Sequence, residues 1–222
     1  MFKKVLSAAL AMSMALAMFT TAMAASGYDL SKVDKVTGTA VTEVTEKAVS
    51  KAVANKESVA YVPFYNAGVV TPDAFKKVAE EAAKKNVSAK VMADTVVNNV
   101  VVGRVILDAK AAAAQGKDMN LKVTVGDNAT KELFGKYFVN ELAIVSLSQP
   151  VSFGQNVEIA ARVDVSKLDS SKPWHFYSYD AAKNEYRAIA NPNYKIDANG
   201  YLHFNTQLAG RILITDKPMT SK

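Results

Sequence analysis

Trp174-His175-Phe176-Tyr177-Ser178-Tyr179-Asp180, WHFYSYD, gathers four aromatic rings and one of the chain's two histidines into seven residues. Side chains alternate across a strand, so Trp174, Phe176 and Ser178 share one face and His175, Tyr177 and Tyr179 the other. Tryptophan and phenylalanine suit a core, whereas histidine and tyrosine join an apolar body to a polar tip and suit a half-wet face. Alternation alone does not say which face points inward. The next residues, DAAKNE, read as a hairpin loop with Asn184 in the left-handed conformation, leading into a second strand, EYRAIA.

Outward from this hairpin, short strands recur: ELAIVSLS, QNVEIAARVDV, YLHFN and GRILITD. Asn199-Gly200, between YKIDA and YLHF, predicts a two-residue type I′ turn, in which both central residues need positive φ. Several short strands with regular turns indicate a β-sandwich. NATKELFGKYF, from Asn128, is read as a single helical turn ahead of these strands.

The part before residue 127 reads differently. Val41, Val44, Ala48 and Ala52 recur at helical spacing between Thr39 and Asn55. VAYVPFYNAG reads as a strand that Pro63 either places at an edge or interrupts. Thr71-Pro72-Asp73 then supplies an N-cap, a first-position proline and a first-turn acid for a helix running to Asn86. VSAKVMADTVV and VVVGRVILD flank Asn98-Asn99 as a hairpin, Asp108 caps a short helix that Gly116 ends, and NLKVTVG returns as a strand. Gly68–Ala74 and Gly103–Ala109 share Gly, Val, Asp and Ala at matching places 35 residues apart, which suggests an internal repeat of strand, capped helix and strand.

The first 25 residues place Lys3 and Lys4 before an apolar run and end in an A-x-A pattern, as a secretory signal does, with cleavage expected after Ala24 or Ala25. The run is shorter than the ~20 residues a spanning helix needs, so no membrane attachment is expected after cleavage. Without the two leader lysines the formal net charge falls from +6 to +4. Lys76-Lys77 and Lys84-Lys85 bracket Glu80 and Glu81, a solvated helix face rather than a nucleic-acid stripe. No cysteine is present, which excludes disulfide stapling and a lipid-modified cysteine.

The C-terminal residues, from VSFGQNVEIAARVDVSKLDSSKPWHFYSYDAAKNEYRAI to YKIDANGYLHFNTQLAGRILITDKPM, resemble a β-sandwich module found near the C-termini of exported and cell-surface proteins of Gram-positive anaerobes (Firmicutes). The likeness spans roughly residues 87–217 and rests on RVILDAKAAAAQGKDMNLKV, similar to the strand, short helix and strand that often precede the module, on the aromatic strand and its hairpin, on Gly200-Tyr201-Leu202-His203-Phe204, and on the run from Gly210 to Asp216. It implies an extracellular, non-catalytic module of unassigned ligand. Two departures stand out: surface-layer-homology repeats are missing, and the tail DKPMTSK lacks an LPxTG-type sorting signal, so covalent wall attachment is not expected.

The expected fold is mainly β (α+β overall): an immunoglobulin-like antiparallel β-sandwich over 127–222, behind a smaller helix-and-strand part. That part comprises strand-helix-strand units over 59–126, a leader or linker with a short helix over 26–58, and the signal at 1–25. The expected function is an exported, cell-envelope-associated structural or interaction module, its partner a cell-wall polymer, a glycan or a surface protein. One alternative is carbohydrate binding on His175, Tyr177, Tyr179 and Tyr186, a surface that His203 could extend. The other is a glycoside hydrolase, which needs paired carboxylates that no spacing here reveals. G-x-S-x-G, H-E-x-x-H and a glycine-rich phosphate loop are all missing, so no catalytic residue is assigned. No cofactor is expected, nor a metal, since His175 and His203 lie 28 residues apart and outside any paired-ligand spacing.

Overall fold

A computed structural model describes residues 30–31, 33–126, 128–137, 139–140, 142–150, 152–180 and 183–220; the leader and its cleavage position lie outside them. The fold is mixed α+β and mostly β, with fourteen strands in three sheets and four helices among the described residues. Among the described residues no helix is long and apolar enough to cross a membrane.

Helix α1 (Gly38–Ala54) follows the two-residue strand β1 (Lys35–Val36). It buries Val41, Val44, Val49 and Ala52, so this stretch belongs to the core instead of acting as a linker. The Thr37 side chain does not cap it; Asp73 Oδ2 accepts from the Gly38 N–H at 2.9 Å and satisfies a first-turn donor. Asp73 belongs to α2 (Pro72–Ala83), whose own cap is Thr71, accepting from the Ala74 N–H. Lys77 and Lys84 both reach Glu81, which is partly buried at the C-terminal end of α2.

Strand β2 (Val59–Tyr65) sends Ala60, Val62 and Phe64 inward and lies at the edge of the six-stranded sheet, the first of the two places that Pro63 allows. The order of that sheet is β12-β13-β9-β5-β4-β2, and β2 runs parallel to β4 (Ser88–Val97) with α2 as the crossover. Its other members are β5 (Val100–Asp108), β9 (Ser152–Ala161), β12 (Lys195–Ile196) and β13 (Leu202–Leu208). The hairpin between β4 and β5 turns on Asn98 and Asn99, both at positive φ.

Asp108 accepts from the Ala111 N–H to cap α3 (Ala109–Ala114), and Gly116 leaves that helix at φ +62°. NLKVTVG divides into β6 (Met119–Asn120) and β7 (Val123–Val125). Strand β6 joins β1 and β3 (Val69–Val70) in the smallest sheet. Both copies of the suspected repeat therefore lead from a strand into a capped helix. Their strands differ in place: β3 lies in the small sheet and β5 at the middle of the large one.

Helix α4 (Asn128–Tyr137) runs for ten residues, longer than the single turn expected. The five-stranded antiparallel sheet follows the order β11-β10-β14-β8-β7, with β8 (Ala143–Leu147), β10 (His175–Asp180), β11 (Glu185–Ala188) and β14 (Arg211–Thr215). Inner faces of the two large sheets meet in one core that includes Val105, Ile159, Phe204, Phe176, Val145, Ile212 and Ile214. Phe176 on β10 and Phe204 on β13 bring their rings to 5.2 Å across it. Strands from residues 59–126 and from 127–222 thus share one sheet, and the expected boundary at 126/127 runs through a single core.

One turn differs from expectation. Gly200 has φ +79°, but Asn199 is not among the positive-φ residues, so Asn199-Gly200 is not a type I′ turn. Asp197 accepts at Oδ1 from the N–H groups of Asn199 and Tyr201, and its carbonyl accepts from Gly200 N–H. A side-chain acceptor at the start of the turn therefore selects a longer loop with glycine alone left-handed.

Candidate functional site

Alternation divides the aromatic strand as the sequence predicts, and the core decides which face is inner. Trp174, Phe176 and Ser178 are buried. Trp174 stacks on Tyr194 at 5.3 Å and donates from Nε1 to the Asp169 carbonyl, while Ser178 Oγ donates to the Ala209 carbonyl. His175, Tyr177 and Tyr179 occupy the opposite face, with Tyr186 on β11 beside them.

That opposite face carries a second, smaller core of Phe134, Leu142, Ile144, Tyr179 and Leu213. Tyr179 is 8% exposed, meets the Phe134 ring edge-on at 4.8 Å and donates to Asn184 Oδ1. Tyr177 is half-buried; its hydroxyl accepts from the Met219 N–H, and its ring meets Tyr186 edge-to-face at 5.7 Å. Tyr186 alone of the four is well exposed, at 44%, and His175 is half-buried at the start of the strand. The four share a face, but as a strip partly covered by α4 and the C-terminal tail.

His203 does not extend this strip, because it lies on β13 in the other large sheet. Register places it on the outward face of that sheet in a row with Lys195, Ala160, Arg104, Asp94 and Tyr65. The neighbouring row on the same face holds Asn205, Glu158, Ile106, Met92 and Pro63.

Two charge clusters occupy this outward face, one fully buried and one built on a buried imidazole whose Glu158 partner is 37% exposed. Arg104 and Asp94 are direct cross-strand partners, 1% and 2% exposed; Nε donates to Oδ1 and Nη2 to Oδ2, the latter at 2.7 Å. Burial pushes the Asp94 carboxyl up, against the two hydrogen bonds from Arg104. In the second cluster His203, 4% exposed, sets Nδ1 at 3.1 Å from Glu158 Oε1 and Nε2 at 3.1 Å from Asp197 Oδ2. Burial pulls the imidazole down, but the hydrogen bonds and charges of Glu158 and Asp197 outweigh it and leave the ring raised. The bond from His203 holds the Glu158 carboxyl below its usual range. Asp197 is also lowered, since hydrogen bonds from Tyr201, His203 and Asn199 together overcome its burial.

Sequence reasoning missed Glu158 and Asp197. A signal for the first was present: NVEIA alternates, so Glu158 faces away from Val157 and Ile159. Asp197 was hidden by the turn type, since a two-residue loop would have left it as an ordinary strand residue.

A groove of about 280 Å³ runs between α1 and the outward face beside these clusters. Val44, Ala48, Ala52, Pro63 and Met92 make it largely apolar, and Tyr61, Lys51 and Glu57 add polar groups. Burial, then Glu158 and Glu57, push the Tyr61 phenol up. Among the described residues no cluster of three or more histidine or acidic side chains could hold a metal. Both ring nitrogens of His203 are already directed at carboxylates. No family model, curated protein or solved structure matches the chain.

Proposed function

We propose that the chain is an exported, cell-envelope-associated structural or interaction module that does no chemistry of its own. One observation carries this reading: the buried charged and titratable side chains of the large sheet's outward face are directed at one another or at a half-exposed carboxylate. Arg104 holds Asp94 in a two-point pair, and His203 lies between Glu158 and Asp197. A glycosidase needs two carboxylates flanking a sugar; the pair brought together here flanks an imidazole ring. Charge spent in this way fixes strands relative to each other.

Export is supported by the leader pattern and by the resemblance to modules of Firmicutes surface proteins. The immunoglobulin-like reading is supported by the antiparallel five-stranded sheet packed against β5, β9 and β13. A second reading, carbohydrate binding, is favoured by the exposed Tyr186 ring meeting Tyr177. It contracts from four residues to Tyr186, Tyr177 and His175.

Co-sedimentation of purified residues 26–222 with isolated Gram-positive envelopes tests the first reading, with a glycan array for the second. Envelope binding that survives Tyr186→Ala supports a module acting through another surface. Glycan binding lost in Tyr186→Ala, with tryptophan fluorescence unchanged, would replace it with the carbohydrate reading; turnover of an array glycan would overturn both.

A further inference from the structure

Strand β12 is the outer edge of the six-stranded sheet and pairs with β13 through only Lys195↔His203 and Ile196↔Leu202. So short a strand gains little from its ladder, and side chains near its turn must supply the rest. Pro192 contributes a carbonyl that accepts from Asn205 N–H, and Asp197 organises the turn through Oδ1. Its other oxygen, Oδ2, faces His203 Nε2 on the next strand, and His203 Nδ1 faces Glu158 on β9. One imidazole therefore links the turn, β13 and β9.

Carboxylates only accept hydrogen bonds, so the ring makes both contacts as a donor only when both nitrogens carry protons. A neutral ring has a single N–H, and its bare nitrogen then faces a carboxylate lone pair. We propose that the β12–β13 hairpin is a pH-gated edge of the sheet: protonated His203 clasps its turn to β9, and loss of that proton loosens the hairpin.

The surroundings favour the protonated clasp. Glu158 on β9 and Asp197 in the turn are both held below their usual ranges, so both are anions when the imidazole titrates. Lys195 on β12 and Lys90 on β4 face Glu158, which also faces Tyr61 on β2. Arg104 and Asp94 lie further along the row, and Tyr201, charge-coupled to Arg162 and Arg104, flanks the turn. The sign is that of a histidine raised in the closed state. Its contribution is complete below the open-state value near 6.5 and is lost as pH rises through the raised value.

Linkage makes the effect quantitative. Each pKa unit by which the clasp raises His203 lowers hairpin protection by about tenfold between the acid and alkaline sides of the titration. The test pairs an NMR titration of His203 with amide exchange at Asn199 and Tyr201, corrected for intrinsic rates. The expected result is a His203 midpoint above 6.5, with protection lost across the same pH interval by the matching factor. His203→Gln should be weakly protected at every pH; should it not fold, Glu158→Gln should shift both midpoints downward together. Protection that stays constant while His203 titrates, or an imidazole neutral at pH 6, would overturn the proposal.

Discussion

Among single residues, the polar side chains engaged with one another carry the most consequence. Arg104 and Asp94 are both almost fully buried, so removing Arg104 takes from the Asp94 carboxylate both of its hydrogen bonds from that side chain. Arg104→Met should cost about 3–5 kcal/mol in urea denaturation, and Arg104→Met with Asp94→Leu should recover most of it. A double variant no more stable than the single one would show that the uncompensated charge is not the cost. Acid should act through Glu158 and Asp197: both are lowered, so their contribution is present above their ordinary values and is lost as pH falls through the lowered ones. Urea midpoints should therefore fall on the acid side, and more gently in Glu158→Gln. That Trp174 and Phe176 share a face opposite His175, Tyr177 and Tyr179 was legible because alternation is local, whereas which face is buried is decided by the core. The clasp on His203 was not, because its partners lie 45 and 6 residues away and meet it only after β9 and β13 pair.

Elements show the same division between local and non-local signals. The turn at Asn98-Asn99 was readable because asparagine tolerates positive φ, and the structure puts both residues there. Asn99→Val forces a β-branched side chain into that conformation and should cost about 1–2 kcal/mol by thermal denaturation; an unchanged midpoint would mean that the turn relaxes to another form. Asn199-Gly200 carried the same signal and folds differently, because the carboxylate of Asp197 competes for the turn amides. Gly103 carries a requirement that no sequence pattern announces. A Cβ there would collide with the Val123 side chain on β7, where the edge of one large sheet closes on the other. Gly103→Ala should cost about 1–3 kcal/mol as an overpacking change, and Val123→Ala in the same background should return part of it.

For the whole molecule, a β-rich α+β fold was legible from strand and turn spacing, but the domain boundary was not. Short strands with regular turns follow one another after residue 127, yet β5 pairs with β9 across that point and the core continues through both sheets. Residues 127–222 alone would lack β2, β4, β5 and β7, and should show no dispersed NMR spectrum. The entire chain should unfold in one transition seen alike by tryptophan fluorescence and circular dichroism. A scaffold closed in this way, with its interior charges mutually engaged, fits a module that holds and presents surfaces. The most direct test of that role is fractionation of a Gram-positive host expressing the full-length sequence, with mass spectrometry of its N-terminus. Envelope-associated protein beginning at Ala25 or Ser26 is expected; cytoplasmic protein still carrying Lys3 and Lys4 would overturn the export reading.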